Sequence, residues 1–237
     1  LPQSHYGISS TPEHPFLAIK GIRHKDYRGG HPYIDDLHNQ KNHKPAWIQA
    51  KDLARGDFLL STRPDIPFSP KIGLKNGRSR KPLRSSIFVD KDLMWLIGLY
   101  VADGSVSDRN TISIALTSGD SVGIERTRKT FMDSFGIEAR VLEHDGCSDV
   151  RVYSADLADN LGGWCGHDPY EKHFPTFVGR SIHALAGLQH GDGWTDGKHN
   201  SITTVSCSLA HQAFEMLLLR YETYPSIRIM KRAKVGG

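Results

Sequence analysis

The sequence predicts an α+β protein in which two helix-strand-strand-helix-strand-strand-helix repeats, the second incomplete, follow a β-rich N-terminal segment. Three observations lead to this prediction. A nine-residue helical pattern ending in Asp-Gly occurs twice, as LIGLYVADG at residues 96–104 and LAGLQHGDG at residues 185–193. Helical and strand periodicity alternate after each copy. The first 62 residues have short apolar runs that are interrupted by proline and glycine.

The composition is that of a globular protein. Of the 237 residues, 38% are hydrophobic and 24% are charged, and the formal net charge is +4. There is no run of about 18 apolar residues and no signal-peptide pattern, so we expect no membrane contact and a cytoplasmic or nucleoid-associated location. The three cysteines form no CxxC pair, which favours free thiols over a zinc site. Because the first residue is not methionine, we expect a fragment or a processed product.

The N-terminal part begins with two strand-like runs, HPFLAIKG at 14–21 and DFLLSTR at 57–63. The His-rich run at 23–44 between them is interpreted as a loop insertion. The segment at 63–84 is interpreted as a linker. Its part at 71–84 has six basic residues and no acidic residue, so it is either a solvated linker or a strand or loop that follows phosphates.

The first repeat is predicted from its capping residues and its periodicity. A helix begins after Asp90 as N-cap and stops at Gly104. Later elements are, in order, a strand at 110–118, a helix at 120–136 closed by Gly136, two strands at 138–144 and 149–154, and a short helix at 155–166.

The second repeat begins with the same pattern. A helix at 181–197, a strand at 200–208, a helix at 209–223 and a strand starting at 226 are predicted. The repeat stops at Gly237, well before the length of the first, and we therefore expect its sheet to lack a hairpin.

Small residues recur four apart on both repeated helices: Gly98 and Ala102 on the first, and Gly187 and Gly191 on the second. Such stripes allow two helices to approach closely, which would bring their C-terminal ends together. Each helix ends on an acid, Asp103 or Asp192, where a carboxylate is unfavourable against the helix dipole. Two adjacent carboxylates repel unless a cation lies between them, and Mg²⁺ accepts such ligands in metal-assisted displacement at phosphorus.

The two nine-residue patterns resemble the signature helices of LAGLIDADG homing endonucleases. This resemblance implies that the helices form the interface between repeats and that a sheet saddle contacts double-stranded DNA. Asp103 and Asp192 would then be catalytic ligands of Mg²⁺, in a monomer with internal pseudo-symmetry. The domain would span 85–237, with repeats at about 89–170 and 176–237. Val101 and His190 replace an acid of the motif that is not a metal ligand.

The stretch EKHFPTFVGR at 171–180 resembles the K-x-x-P block that precedes the second motif in intein-borne members of this family. The resemblance implies that Lys172 is a third catalytic residue. A lysine near the scissile phosphate can stabilise developing negative charge or position the attacking water. The alternative is an exposed loop lysine.

The N-terminal stretches TPEHPFLA at 11–18 and WIQAKDLARGDFLL at 47–60 resemble intein splicing blocks. The resemblance implies a partial Hint-like splicing domain that, with the basic linker, spans 1–84. In it, Thr11 and His14 would polarise the peptide bond at the splice junction. The alternative is a turn in an unrelated β domain. Neither end carries the residues that splicing requires, so we expect this chain not to splice.

Alternating strand positions are expected to face base edges. The candidates are Arg109, Ser113, Thr117, Arg140 and Arg151 in the first repeat, and His199, Ser201, Thr203, Ser206, Arg228 and Lys231 in the second. Ordinary solvent-facing polar residues would give the same pattern. The predicted function is that of an intein-type homing endonuclease fragment. The alternatives are a DNA-binding protein of this fold that does not cleave, and a decayed splicing element.

Overall fold

The computed structural model describes residues 10–20, 44–54, 57–60, 70–221 and 225–227. The chain divides into two compact units, Ser4–Asp65 and Ile66–Gly237. The basic segment at 71–84, predicted as part of the N-terminal domain, belongs to the second unit. The reason is hydrophobic: Leu74 and Leu83 are buried in the core of the second unit, so the basic segment belongs to that unit.

The described part of the N-terminal unit contains a three-stranded antiparallel sheet. Strand β1 (Pro15–Ile19) lies between β2 (Ala46–Gln49) and β3 (Phe58–Leu59), with a 3₁₀ turn at Ala50–Asp52. The two predicted strand-like runs thus contain strands, although the second contains only two strand residues. Residues 23–43 of the predicted His-rich loop lie outside the described residues.

The first repeat has the predicted order of elements, helix-strand-strand-helix-strand-strand-helix. A small antiparallel pair, β4 (Lys71–Gly73) and β5 (Ser86–Phe88), precedes it. The repeat itself consists of α1 (Lys91–Asp103), β6 (Gly104–Ser107), β7 (Thr111–Thr117), α2 (Ser121–Phe135), β8 (Arg140–His144), β9 (Cys147–Tyr153) and α3 (Ala155–Cys165).

The four strands of the first repeat form one antiparallel sheet in the order β6-β7-β9-β8. Strand alternation gives the sheet one apolar and one polar face. Ile112, Ile114, Val150 and Val152 are fully buried on the face that packs against the helices. The intervening positions face away from this core.

Helix α1 is the central helix of the unit. Asp90 caps it by accepting hydrogen bonds from the N–H groups of Asp92 and Leu93, and it ends at Gly104, whose N–H donates to the carbonyl of Tyr100. Both ends agree with the prediction. Residues 93–101 are buried without interruption, as expected for a helix with neighbours on all sides.

The second repeat is shorter and partly different from the prediction. It contains α4 (Ile182–Asp192), the antiparallel pair β10 (Gly193–Thr195) and β11 (Asn200–Ile202), and α5 (Cys207–Tyr221). The helix predicted over 181–197 is wrong in its last turn, because the chain changes from helix to strand at the Asp192–Gly193 junction. The strand predicted over 200–208 ends early, because Ser206 accepts from the N–H of Leu209 and so caps α5.

The predicted final strand lies mostly outside the described residues, as do the proposed DNA contacts Arg228 and Lys231. Within the described part of the chain, no helix is long and apolar enough to cross a membrane.

Candidate functional site

Helices α1 and α4 pack against each other at backbone contact distance. A Cβ added at Gly98 would overlap the carbonyl oxygen of Ala184, and one added at Gly187 would overlap the carbonyl oxygen of Trp95. The Cα of Gly98 lies 3.0 Å from the position that a Cβ on Gly187 would occupy. The close approach predicted from the small-residue stripes is therefore present, and it requires glycine at both positions.

The same contact continues to the C-terminal ends of the helices. A Cβ built on Gly191 would lie 2.5 Å from the Cβ of Ala102 and 2.6 Å from Oδ2 of Asp103. The carboxylate that ends α1 thus touches α4 one residue before Asp192, the acid that ends α4. Two acids 89 positions apart in sequence are brought to the same end of one helix pair.

The pKa values of these two acids are both raised, and the charge of Asp103 is one of the causes for Asp192. Partial burial and, to a smaller extent, the negative charge of Asp103 raise the pKa of Asp192 to about 6. Partial burial also raises the pKa of Asp103, while the charge of His190 acts in the opposite direction. Both carboxylates are therefore less stable as anions than free aspartates, which is the condition that a bound cation relieves.

His190, seen in the sequence only as a departure from a motif, joins α4 to the first repeat. Its Nε2 lies 2.5 Å from Oδ2 of Asp120, while Oδ1 of the same carboxylate caps α2 by accepting from the N–H of Gly123. The ring also packs edge-on against Trp95 at 5.4 Å. Burial would raise the pKa of Asp120, but the Gly123 N–H and His190 outweigh it, and the pKa lies below its ordinary value.

Lys172, the predicted third catalytic residue, is only 5% exposed. Its Nζ lies 3.7 Å from the centre of the Tyr100 ring and 3.4 Å from the Tyr100 carbonyl oxygen, to which it donates. Burial lowers the pKa of Lys172 to about 8, with the Cys165 thiol acting in the opposite direction. The alternative of an exposed loop lysine is therefore wrong. The amine lies beside α1, one turn before Asp103.

The predicted DNA contacts of the first repeat lie on the polar side of its sheet. Ser113 pairs with Arg151, and Arg151 pairs with Arg140, so these three side chains form a row across β7, β9 and β8. Thr117 is exposed at the end of β7, and Arg109 is exposed in the turn before it. An acid of the next row contacts this one, since Arg151 Nη2 lies 2.5 Å from Asp149 Oδ2.

In the second repeat, Thr203 is exposed just after β11, and its N–H donates to the carbonyl of Asp192. His199 and Ser201 are also exposed. Ser206 is wrong as a candidate for base contact, because it is 1% exposed and its Oγ donates to the carbonyl of Lys172. A capping serine and a surface serine are indistinguishable in the sequence pattern.

In the N-terminal unit, Thr11 and His14 belong to one exposed turn before β1. The N–H of His14 donates to the carbonyl of Thr11, and the His14 ring packs edge-on against Phe16. The turn is held to the next segment because the N–H of Ala50 donates to the carbonyl of His14. The structure therefore brings these two candidate residues together.

Among the described residues, no group of three or more histidine, cysteine, aspartate or glutamate side chains is arranged to hold a metal ion. The candidate metal site of the second unit thus consists of two carboxylates. Such a site fits Mg²⁺, which is commonly bound by one or two carboxylates and completes its shell with water and phosphate oxygens.

Comparison with known proteins finds a family model that matches part of the chain. The family model of the LAGLIDADG-like domain matches residues 90–161, from the N-cap of α1 into α3. Two structures of I-DmoI in complex with DNA, one with its target and both with Mn, match at TM-scores of 0.41 and 0.40 with 16% and 15% identity. They cover 54% of this chain and 76% and 74% of theirs.

Curated relatives carry unrelated names. The DNA-directed RNA polymerase subunit Rpo1C of Methanocaldococcus jannaschii is 27% identical over 82% of this chain. An iron-sulfur cluster assembly SufBD family protein of Mycobacterium tuberculosis is 26% identical over 65% of it. The chain spans only about a fifth of the length of these relatives, 22% and 18%. Residues 90–161, which contain the first helix of the acid pair and the four-stranded sheet, are the part of the chain that is similar to the LAGLIDADG-like domain.

Proposed function

We propose that this chain is the homing endonuclease part of an intein. It hydrolyses phosphodiester bonds in a long double-stranded DNA site. The observation that carries the proposal is the placement of Asp103 and Asp192 at one end of a glycine-lined helix pair. Because one chain supplies both acids, it acts as a monomer with internal pseudo-symmetry.

Asp103 and Asp192 hold Mg²⁺ in this proposal. Their pKa values are raised because each anion is partly buried and, for Asp192, because the other anion is near. A divalent cation removes that repulsion and, when bound, polarises a phosphate oxygen and activates water. The carboxylates orient the ion at the end of the helix pair.

Lys172 contributes to the site by placing a positive charge beside the C-terminal turn of α1. Its amine donates to the Tyr100 carbonyl, the group that also accepts from Gly104 N–H directly after Asp103. The amine therefore fixes the backbone that presents the first carboxylate. Its small exposure makes positioning a better role for it than direct contact with a phosphate.

The polar face of the four-stranded sheet contacts the DNA. Ser113, Arg151 and Arg140 lie in one row across three strands, and Thr117 and Arg109 extend the same surface. In the second repeat, Thr203 lies beside Asp192, to whose carbonyl its N–H donates. The two repeats differ in sequence, so the DNA site is asymmetric.

The intein assignment is supported by the names of the relatives. An RNA polymerase subunit and an iron-sulfur cluster assembly protein share no stated role, yet this chain matches a segment of about a fifth of each. An element inserted into unrelated hosts explains such a pattern. The turn that holds Thr11 and His14 is the corresponding piece of a Hint-like splicing domain.

The test is a cleavage assay with Mg²⁺ on a plasmid that carries the gene sequences flanking this element, joined without it. We expect the wild-type chain to linearise the plasmid and Asp103→Asn to lose this activity. The control is Asp133→Asn, which removes an exposed carboxylate from the last turn of α2. Equal cleavage by Asp103→Asn and the wild type would refute the proposed site.

A second candidate is a DNA-binding protein of this fold that does not cleave. The burial of Lys172 favours this second candidate, because it keeps the amine away from any phosphate. Specific binding to the same plasmid without cleavage by the wild type, under conditions in which Mg²⁺ is bound, would select this second function.

A further inference from the structure

The basic segment at 71–84 is folded onto the second unit. Its first three residues form β4, which pairs with β5 just after the segment, with Ile72 opposite Ile87. Leu74 and Leu83 bury their side chains in the hydrophobic core, with exposures of 9% and 7%. Of the two interpretations of this segment, the solvated linker is therefore excluded for the residues between the strands.

Two polar side chains of α3 hold the backbone of this segment. Asp156, 3% exposed, accepts from the N–H groups of Arg78 at 2.7 Å and Ser79 at 3.2 Å. Asn160 accepts from the N–H of Lys75 at 3.0 Å and donates to the carbonyl of the same residue at 2.9 Å. Two buried side chains of α3 thus bind the main chain of this segment, whose lysine and arginine side chains are exposed.

The electrostatics of Asp156 agree with this arrangement. Burial by itself would raise the pKa of this carboxyl, but the hydrogen bonds from Arg78 and Ser79 outweigh it, and the pKa lies below its ordinary value. The carboxylate therefore stays charged while it fixes the loop. Fixing a loop in this way reduces the entropy lost when the loop binds a ligand.

The segment carries cations that the protein does not neutralise. Arg78 is paired with Asp159 at 2.5 Å. Lys75, Arg80 and Lys81 are exposed, and none of the three forms an ion pair within the described residues. Unpaired cations on a rigid backbone are suited to bind a row of phosphates.

The segment lies at the same end of the sheet as the β6–β7 turn. The hydroxyl groups of Ser79 and Ser154 are 3.3 Å apart, and the N–H of Ser154 donates to the carbonyl of Asn110 at 2.8 Å. Asn110 follows Arg109 directly in that turn. The loop therefore lies next to the β6–β7 turn that carries Arg109, one of the proposed DNA contacts.

The turn itself presents Arg109 in an unusual conformation. Asp108 and Arg109 have φ angles of 49° and 59°, and the N–H of Asn110 donates to the carbonyl of Ser107. A turn in which two consecutive residues have positive φ angles favours asparagine and glycine at these positions. Arginine is energetically less favourable at a positive φ angle than asparagine or glycine. The geometry of the turn alone therefore does not explain why arginine occurs here.

From these contacts we infer that Lys75, Arg80 and Lys81, with Arg109, form a phosphate-binding surface for the sugar-phosphate backbone of double-stranded DNA. This surface extends the DNA interface of the sheet to the flank of the bound duplex. It increases the affinity for DNA but does not contribute to sequence specificity. This inference rests on the proposed function in one respect, since it takes DNA as the ligand of the sheet.

The test measures binding of a fluorescein-labelled 40-base-pair duplex of arbitrary sequence by anisotropy, over a series of salt concentrations. The variant Arg80→Ala/Lys81→Ala removes two cations of the surface. The control Lys91→Ala/Lys129→Ala removes two exposed cations from α1 and α2, with the same change in net charge. Each lost phosphate contact reduces the slope of log K against log salt by about 0.9.

We expect Arg80→Ala/Lys81→Ala to reduce the slope by about 2 relative to the wild type, and the control to leave it within about 0.5. Equal slopes for the two double variants would overturn the inference. If Arg140→Ala then still weakens binding, the proposed function stands without this surface. A wild-type chain that does not bind the duplex at low salt would overturn both.

Discussion

Gly98 and Gly187 face each other across the α1–α4 contact, with the Gly98 Cα 3.0 Å from the site of a Gly187 Cβ. Neither helix has room for a methyl group at this point. The distance between the two backbones determines how close Asp103 and Asp192 lie at the ends of the same helices. The packing of these two glycines thus determines the distance between the two carboxylates of the candidate metal site.

The first prediction concerns this contact. Gly98→Ala and Gly187→Ala should each lower the free energy of unfolding by about 1–3 kcal/mol, because the added methyl group meets backbone atoms that cannot move aside. The matched control is Gly163→Ala in α3, which has nothing within 4 Å of the new Cβ and should be neutral or stabilising by up to about 1 kcal/mol. Urea denaturation measures the free energy of unfolding of the three variants. Similar changes in all three variants would contradict the prediction.

The second prediction concerns Gly191. A methyl group there would lie 2.6 Å from Asp103 Oδ2, so Gly191→Ala should displace the carboxylate. Titration calorimetry with Mn²⁺ should show metal affinity reduced at least about tenfold, a loss of 1.4 kcal/mol. Stability should change less, since the better helix propensity of alanine offsets part of the strain. Unchanged Mn²⁺ affinity would show that Asp103 is not a ligand.

The third prediction is a pH dependence that comes from Asp192. Its pKa is about 6 in the folded chain against an ordinary 3.8, so its contribution to stability is fully present below about pH 4 and is lost as pH rises through 6. Above pH 6 and without divalent metal, Asp192→Asn should therefore be more stable than the wild type by about 1–2 kcal/mol, a value reduced for solvent screening.

Thermal unfolding at pH 4 and pH 8 measures this effect. The difference between Asp192→Asn and the wild type should vanish at the lower pH. At pH 8, added Mn²⁺ should raise the melting temperature of the wild type and leave that of Asp192→Asn nearly unchanged. An equal response of both proteins to Mn²⁺ would argue against a metal site at this acid.

The fourth prediction concerns the pair His190 and Asp120. A double-mutant cycle with His190→Ala and Asp120→Asn should give a coupling energy of about 0.5–1.5 kcal/mol, since the side chains are 34% and 26% exposed. Asparagine keeps the oxygen that caps α2, so the cycle isolates the contact with His190. The pKa of Asp120 is lowered, so its stabilisation is present above the ordinary value near 4 and is lost as pH falls through the lowered pKa. Additive single effects would show that the contact contributes nothing.

The fifth prediction separates the roles of Lys172. Because burial lowers its pKa to about 8 from 10.5, the folded chain disfavours the ammonium form. The free energy of unfolding of the wild type should therefore rise, relative to Lys172→Met, between pH 8 and pH 10.5, by up to about 3 kcal/mol. Lys129→Met, which changes an exposed lysine, should show no such pH dependence. A folded Lys172→Met chain that cleaves normally would remove this lysine from the site.

Several elements of the second unit could be predicted because their signals are local. Asp90 and Gly104 mark the ends of α1 through capping, and Gly136 ends α2 with a φ of 69°. The pair of acids could also be found, because the same pattern occurs twice. The roles of His190 and Ser206 could not, because each depends on a partner far away in the sequence, Asp120 for one and Lys172 for the other.

The sequence by itself determined the periodicity, the helix ends and the recurrence of Asp-Gly after a small-residue stripe. All of these depend on interactions within a few residues. Only the tertiary structure decided that the basic segment at 71–84 is folded rather than a linker, since Asp156 and Asn160, which hold it, lie about 80 residues further along the chain. It also decided that Lys172 is buried and that Asp192 is held near Asp103. The physical reason is that burial and charge-charge interactions depend on distances in space.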